Sequence, residues 1–147
     1  NCHLVIVGRI SEEQKRLIEE KQVSYEVLTG ISDEEVIIEY EKSDIVAFAS
    51  LYEGFGMPII EAQRVGRVVV TSNCSSMPEV AGPGACLVEP QSVNSIRQGI
   101  EKVINDKEYR EELIRSGTRN AERFDGEAVA SEYLRVYQET FGDGSNR

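Results

Sequence analysis

Apolar positions in this chain recur with two different periods, and the alternation between them predicts the architecture. Leu4 to Val7, Tyr25 to Leu28, Ile45 to Ala49, Val68 to Thr71 and Ala85 to Val88 are short, largely apolar runs. Runs of this length rich in β-branched residues read as strands of a buried sheet. Between them the pattern is helical. Ser11 with Gln14 makes a capping box ahead of a helix to about Lys21, and Ser32 with Glu35 repeats the device ahead of a second. Met57 to Val65 reads as a third helix, with Pro58 in its opening turn and Gly66 closing it. Asn73 to Gly84, rich in Ser, Gly and Pro, reads as a loop with one helical turn at Pro78 to Ala81. After Pro90 the strands stop. Val93, Ile96, Ile100, Val103 and Ile104 line one face of a helix, Tyr109 to Phe124 and Glu127 to Phe141 read as two more, and the tail from Gly142 reads as disordered.

Strands separated by single helices need crossover connections, so the fold class is α/β. The expectation is one Rossmann-like domain over residues 1–141, with a doubly wound parallel sheet of about five strands, helices at the C-terminal end and a disordered tail at 142–147. Ligands of such sheets bind at the carboxyl ends of the strands. A length of 147 residues, 40% of them hydrophobic, suits the core of one domain. No apolar run approaches the roughly 20 residues of a transmembrane segment, and no secretory signal opens the chain. A cytoplasmic protein, or one at the cytosolic face of a membrane, is expected. Cys2, Cys74 and Cys86 form no CxxC pair, which fits free thiols in a reducing compartment.

A formal net charge of −10 argues against nucleic acid and against an anionic membrane surface, because both are gripped by clustered Lys and Arg. The chemistry-bearing stretch is Glu53-Gly54-Phe55-Gly56-Met57-Pro58-Ile59-Ile60-Glu61, two carboxylates separated by seven residues. It joins a strand to a helix through a glycine turn. Such a junction aims backbone N–H groups and the positive end of a helix dipole at one spot, which suits a phosphorylated ligand. Yet Arg64 and Arg67 are the only basic residues between Ser43 and Ile96. The cation a diphosphate wants is therefore expected outside this chain.

Each feature also has a purely structural reading. Glu61 in a first helical turn would be favoured by the dipole by roughly 0.3–1 kcal/mol with no function at all. Glu53 alone reads equally as a solvated loop carboxylate, and Gly54 and Gly56 as turn residues. His3, the single histidine, reads as structural at the start of a strand, and without a second histidine or an Asp-x-Asp pair no metal is expected. Gly8-Arg9 reads as a turn leading into a helix. Ser75-Ser76-Met77-Pro78-Glu79 either adds hydroxyls to the same crevice or is turn chemistry.

Taken together, Ser50 to Ala62 (SLYEGFGMPIIEA), Val68-Val69-Val70-Thr71-Ser72, Pro78-Glu79-Val80-Ala81-Gly82 and the helix-rich end resemble the C-terminal domain of group 1 retaining glycosyltransferases of GT-B fold. The likeness spans roughly Leu4 to Phe141. It implies a donor site for a nucleotide-diphosphate sugar, with no cofactor and no metal. Carried over by residue, Glu53 is the catalytic carboxylate at the donor sugar; Gly54, Phe55, Gly56, Met57, Pro58, Ile59 and Ile60 meet the sugar and the diphosphate; Glu61 takes the ribose hydroxyls; Ile31 lies beside the base. The acceptor, a sugar, lipid or protein, belongs to an N-terminal domain that this chain lacks. The family's first strand-helix unit, with its diphosphate-binding Arg and Lys, is also expected to be missing, Ala49 stands where the family usually has Pro, and Gly126 replaces an aromatic often found before the last helix. A GT-B nucleotide-sugar epimerase would need more histidines, and a non-catalytic binding module would be expected to have lost one of the glutamates.

Overall fold

In the computed structural model, residues 2–142 are described; of the tail expected to be disordered, residues 143–147 lie outside them. The chain divides into two compact units, Asn1–Glu39 and Tyr40–Arg147. All five expected strands form and all pair in parallel, hydrogen-bonded as a two-stranded ladder and a three-stranded ladder.

In the first unit, β1 (His3–Val7) pairs with β2 (Ser24–Leu28), in register from His3 opposite Ser24 to Val7 opposite Leu28. The crossover is α1 (Glu12–Glu20), and its capping box is complete. The Gln14 N–H donates to Ser11 Oγ at 3.1 Å, and the Ser11 N–H donates to Gln14 Oε1 at 2.8 Å. Ser32 and Glu35 exchange the same pair of bonds ahead of α2 (Asp33–Lys42). These reciprocal bonds satisfy two otherwise orphaned donors at each helix start, which is why both starts were legible in the sequence. His3 has a structural partner, with Nδ1 2.8 Å from Ser24 Oγ across the ladder. Arg9 lies between β1 and the Ser11 cap, in a turn that leads into α1.

In the second unit, β3 (Ile45–Phe48), β4 (Val68–Ser72) and β5 (Ala85–Val88) pair in that order. Around them run α3 (Met57–Arg64), α4 (Met77–Ala81), a 3₁₀ turn at Gly82–Gly84, α5 (Val93–Asn105), α6 (Lys107–Glu122) and α7 (Gly126–Phe141). Successive strand residues point to opposite faces, so a strand covered on both sides must be apolar throughout. That is the case for β4. Val69 joins Ile59, Ile60, Ala62, Met77 and Val80 in one core, while Val68 and Val70 join Cys86, Val88, Val103 and Leu113 in the other. All three valines are fully buried.

Helix α3 ends in a Schellman motif: Gly66 is left-handed at φ 77°, its N–H donates to the Gln63 carbonyl, and the Arg67 N–H donates to the Ala62 carbonyl at 2.8 Å. Inside the second unit Gln63 and Asn120 form a buried polar link. Asn120 Nδ2 donates to Gln63 Oε1 and to the Val80 carbonyl, both at 2.8 Å, and Gln63 Nε2 donates to the Ala81 carbonyl at 2.9 Å. Nearby, a Cβ on Gly84 would stand 2.3 Å from the Gly117 Cα, so glycine is what lets the 3₁₀ turn lie against α6. The last helix differs. No residue of α7 is buried, and Val129, Tyr133, Val136, Tyr137 and Phe141 are exposed. Gly126, where an aromatic was expected, opens that helix, and the preceding Asp125 pairs with Arg64 at 2.6 Å.

Replacing Asn120 by Ala strands the buried Gln63 amide oxygen and the Val80 carbonyl, and unmet buried groups cost about 1–3 kcal/mol each. Denaturant titration of Asn120→Ala should show a lower midpoint at unchanged slope. An unshifted midpoint would mean that the pair contributes nothing to stability.

Candidate functional site

The stretch from Ser50 to Glu61 leaves the carboxyl end of β3, turns through the glycines and enters α3. Its backbone carbonyls are held from the neighbouring strand and the loop after it. Thr71 Oγ1 donates to the Phe48 carbonyl at 2.8 Å and Ser72 Oγ to the Ser50 carbonyl. Beyond the end of β4 the pattern continues. Ser75 Oγ donates to the Glu53 carbonyl at 3.0 Å, and Ser76 Oγ shares its proton between the carbonyls of Glu53 and Phe55, at 3.0 and 2.9 Å. Side-chain hydroxyls thus extend the β3–β4 ladder past the point where the strands separate. Sequence alone left Ser75 and Ser76 open between crevice donors and turn chemistry; their protons go to the loop.

Gly56 is the residue before α3 and sits at φ 101°, a region that side chains rarely adopt. A Cβ there would also approach Ile59 Cδ1 at 3.2 Å. Gly54 is exposed with open space around it, so its backbone is approachable. Being a glycine, Gly56 caps no N–H with a side chain, and Pro58 has no N–H to cap. The Ile59 N–H donates to the Gly56 carbonyl at 3.0 Å, while the side chains of Ile59 and Ile60 are buried in the core. Phe55 and Met57 are exposed, and Phe55 meets Phe124 edge-on at 5.4 Å.

Each of the two glutamates receives one hydroxyl. Ser50 Oγ donates to Glu53 Oε1 at 2.8 Å, fixing a carboxylate at the mouth of β3. Tyr40 Oη donates to Glu61 Oε2 at 2.9 Å. Burial first, then the hydrogen bond to Glu61 and its charge, hold the Tyr40 phenol well above its ordinary pKa. It therefore remains a neutral donor. Glu61 lies beyond the first turn of α3, which contains no acidic residue, so the dipole explanation for it loses force. Tyr40 and Ser50 carried no individual signal in the sequence. Nothing in the spacing of Tyr40 and Glu61, 21 positions apart, links them.

Neither nearby cation is spare. Arg64 is paired with Asp125, and Arg67 donates from Nη2 to the Glu41 carbonyl. Among the described residues no three His, Cys, Asp or Glu side chains group as a metal site, and no helix is long and apolar enough to cross a membrane. Ile31, expected beside a base, is half-buried ahead of the Ser32 cap and belongs to the first unit, while the motif belongs to the second.

The sequence profile of the family described as Glycosyl transferases group 1 matches residues 1–120. The chain belongs to the group 1 glycosyl transferases. O-antigen chain mannosyltransferase B of Escherichia coli is 32% identical over 108 residues, which are 74% of this chain and 28% of that protein. Sucrose-phosphate synthase from Thermosynechococcus elongatus superposes with a TM-score of 0.79 at 22% identity, over 93% of this chain and 38% of that one. An Anabaena protein solved in complex with UDP-glucose superposes at 0.72 with 21% identity, over 92% and 40%. These structures share the α/β, Rossmann-like GT-B fold. The chain spans less than half the length of each.

If the hydroxyl ladder shapes this family's motif loop, Ser76→Ala should speed amide hydrogen exchange at Gly54 and Gly56 while lowering global stability by only about 0.5–1.5 kcal/mol. Exchange unchanged at both glycines would show that the ladder does not hold the loop.

Proposed function

We propose that this chain, over residues 1–141, is the donor-binding domain of a glycosyltransferase that moves a hexosyl or related group from a nucleoside-diphosphate sugar to an acceptor, with retention of anomeric configuration. The observation that carries the reading is the pair of oriented carboxylates at the two ends of one loop, Glu53 at the strand mouth and Glu61 in the helix, with a left-handed Gly56 between them. The O-antigen chain mannosyltransferase and the UDP-glucose-bound Anabaena protein agree with such a donor.

In the reaction, the bond between the anomeric carbon and the diphosphate oxygen breaks, and its electron pair leaves with the nucleoside diphosphate. The acceptor hydroxyl forms the new bond, and its proton passes to the departing diphosphate oxygen. Negative charge thus grows on the diphosphate and positive character on the sugar. The N-terminus of α3, with the Ile60 N–H and the loop N–H groups from Gly54 to Met57, faces the first, and no metal is needed for that. The Glu53 carboxylate favours the second. Glu61 accepts hydrogen bonds from the ribose diol, and Ile31 is assigned to the base. The acceptor, a sugar, lipid or protein, and the cation for the diphosphate are assigned to parts of the protein outside this chain.

A charge-assisted pair of bonds from Glu61 to a vicinal diol contributes on the order of 1.5–3 kcal/mol. Glu61→Ala should therefore weaken nucleoside-diphosphate binding by that amount and leave the fold intact. Titrations with the ribonucleotide and its 2′-deoxy form, repeated in EDTA, check this. Equal affinity for both forms in the unmutated chain rejects the ribose assignment, and loss of binding in EDTA rejects the metal-free account.

Glu53 should behave differently in the intact enzyme. If it acts mainly as positive charge develops on the sugar, Glu53→Gln lowers kcat by more than it weakens donor binding. Steady-state kinetics beside equilibrium binding of the nucleoside diphosphate decide it, and an unchanged kcat reduces Glu53 to a loop carboxylate.

A further inference from the structure

Tyr40 Oη donates to Glu61 Oε2 from a different element, the last turn of α2. The Tyr40 ring packs against the core that contains Ile59, Ile60 and Ala62 of α3. Packing fixes the ring, and the ring fixes where its hydroxyl points. A glutamate on a helix surface otherwise samples several rotamers, and holding it in one costs entropy when a ligand arrives. With Oε2 occupied by the phenol, the carboxylate plane is set before any ligand binds.

We propose that Tyr40 is a positioning residue for ribose recognition, holding Glu61 in the orientation in which its carboxylate meets the vicinal diol. The inference rests on the reading of Glu61 as the ribose ligand. A neutral phenol is suited to this task. An Arg or Lys in its place would form an ion pair with Glu61 and reduce the charge available to the diol, whereas a phenol that stays protonated orients the carboxylate and leaves it anionic. Its effect on affinity is therefore confined to ligands that carry the diol. That selectivity distinguishes positioning from simple packing.

The test uses the whole chain and chemical-shift titration, which reads affinities down to the millimolar range. UDP, GDP and ADP are compared first, and the tightest of them is then compared with its 2′-deoxy form. Tyr40→Phe keeps the ring and removes only the hydroxyl. It should weaken the ribonucleotide by roughly three- to tenfold, the scale of one hydrogen bond, and leave the 2′-deoxy form nearly unchanged. In a Glu61→Ala background the same substitution should have no further effect, since two residues acting through one interaction are not additive. Unmutated chain that favours the ribonucleotide while Tyr40→Phe keeps the full preference overturns the positioning role and leaves the ribose reading standing. Equal weakening of both nucleotides by Tyr40→Phe assigns Tyr40 to packing and also overturns it. If the unmutated chain shows no preference, the ribose reading of Glu61 falls, and the role of Tyr40 falls with it.

Discussion

The shape of the motif loop depends on the donation of hydroxyl protons from the end of β4 and the loop after it to the backbone carbonyls of the β3 loop. Thr71, Ser72, Ser75 and Ser76 between them satisfy the carbonyls of Phe48, Ser50, Glu53 and Phe55. A glycine-containing loop has much conformational entropy to lose and few side-chain contacts with which to offset it. Here the neighbouring segment holds it by the backbone. The consequence is directional: the carbonyls turn toward β4 and its loop, while Gly54 stays exposed and the start of α3 carries no side-chain cap.

Rigidity then passes from the loop into the helix. Ile59 and Ala62 are fully buried on one side of β4, Gln63 is tied to Asn120, and a Schellman motif stops the helix at its far end. Sites mounted on well-packed elements hold their geometry better than sites on free loops. Glu61 benefits directly, because the same core that seats α3 seats the Tyr40 ring.

The electrostatics follow from a shortage of free cations. The chain carries −10, and the two arginines nearest the motif are already engaged, Arg64 with Asp125 and Arg67 with the Glu41 carbonyl. In the proposed site, attraction for a diphosphate would come from aligned peptide dipoles, which need no counter-charge and place their field at one point. Such a field falls off within about a turn. Glu61 sits beyond that turn, outside the reach of the field.

The sequence by itself determined the element order, both capping boxes, the five strands and the motif that marks the family, because each rests on neighbours within a few positions: a cap and its third residue, an apolar run, a glycine at a helix end. It also placed the start of α3 at Met57, although Glu61, read there as a first-turn residue, lies one position beyond that turn. Only the tertiary structure decided which hydroxyl meets which acceptor. Tyr40 reaches Glu61, and Ser76 reaches Glu53 and Phe55, across separations of more than 20 positions. Such pairings are set by how α2, β3, β4 and α3 pack in three dimensions, and no local periodicity records them.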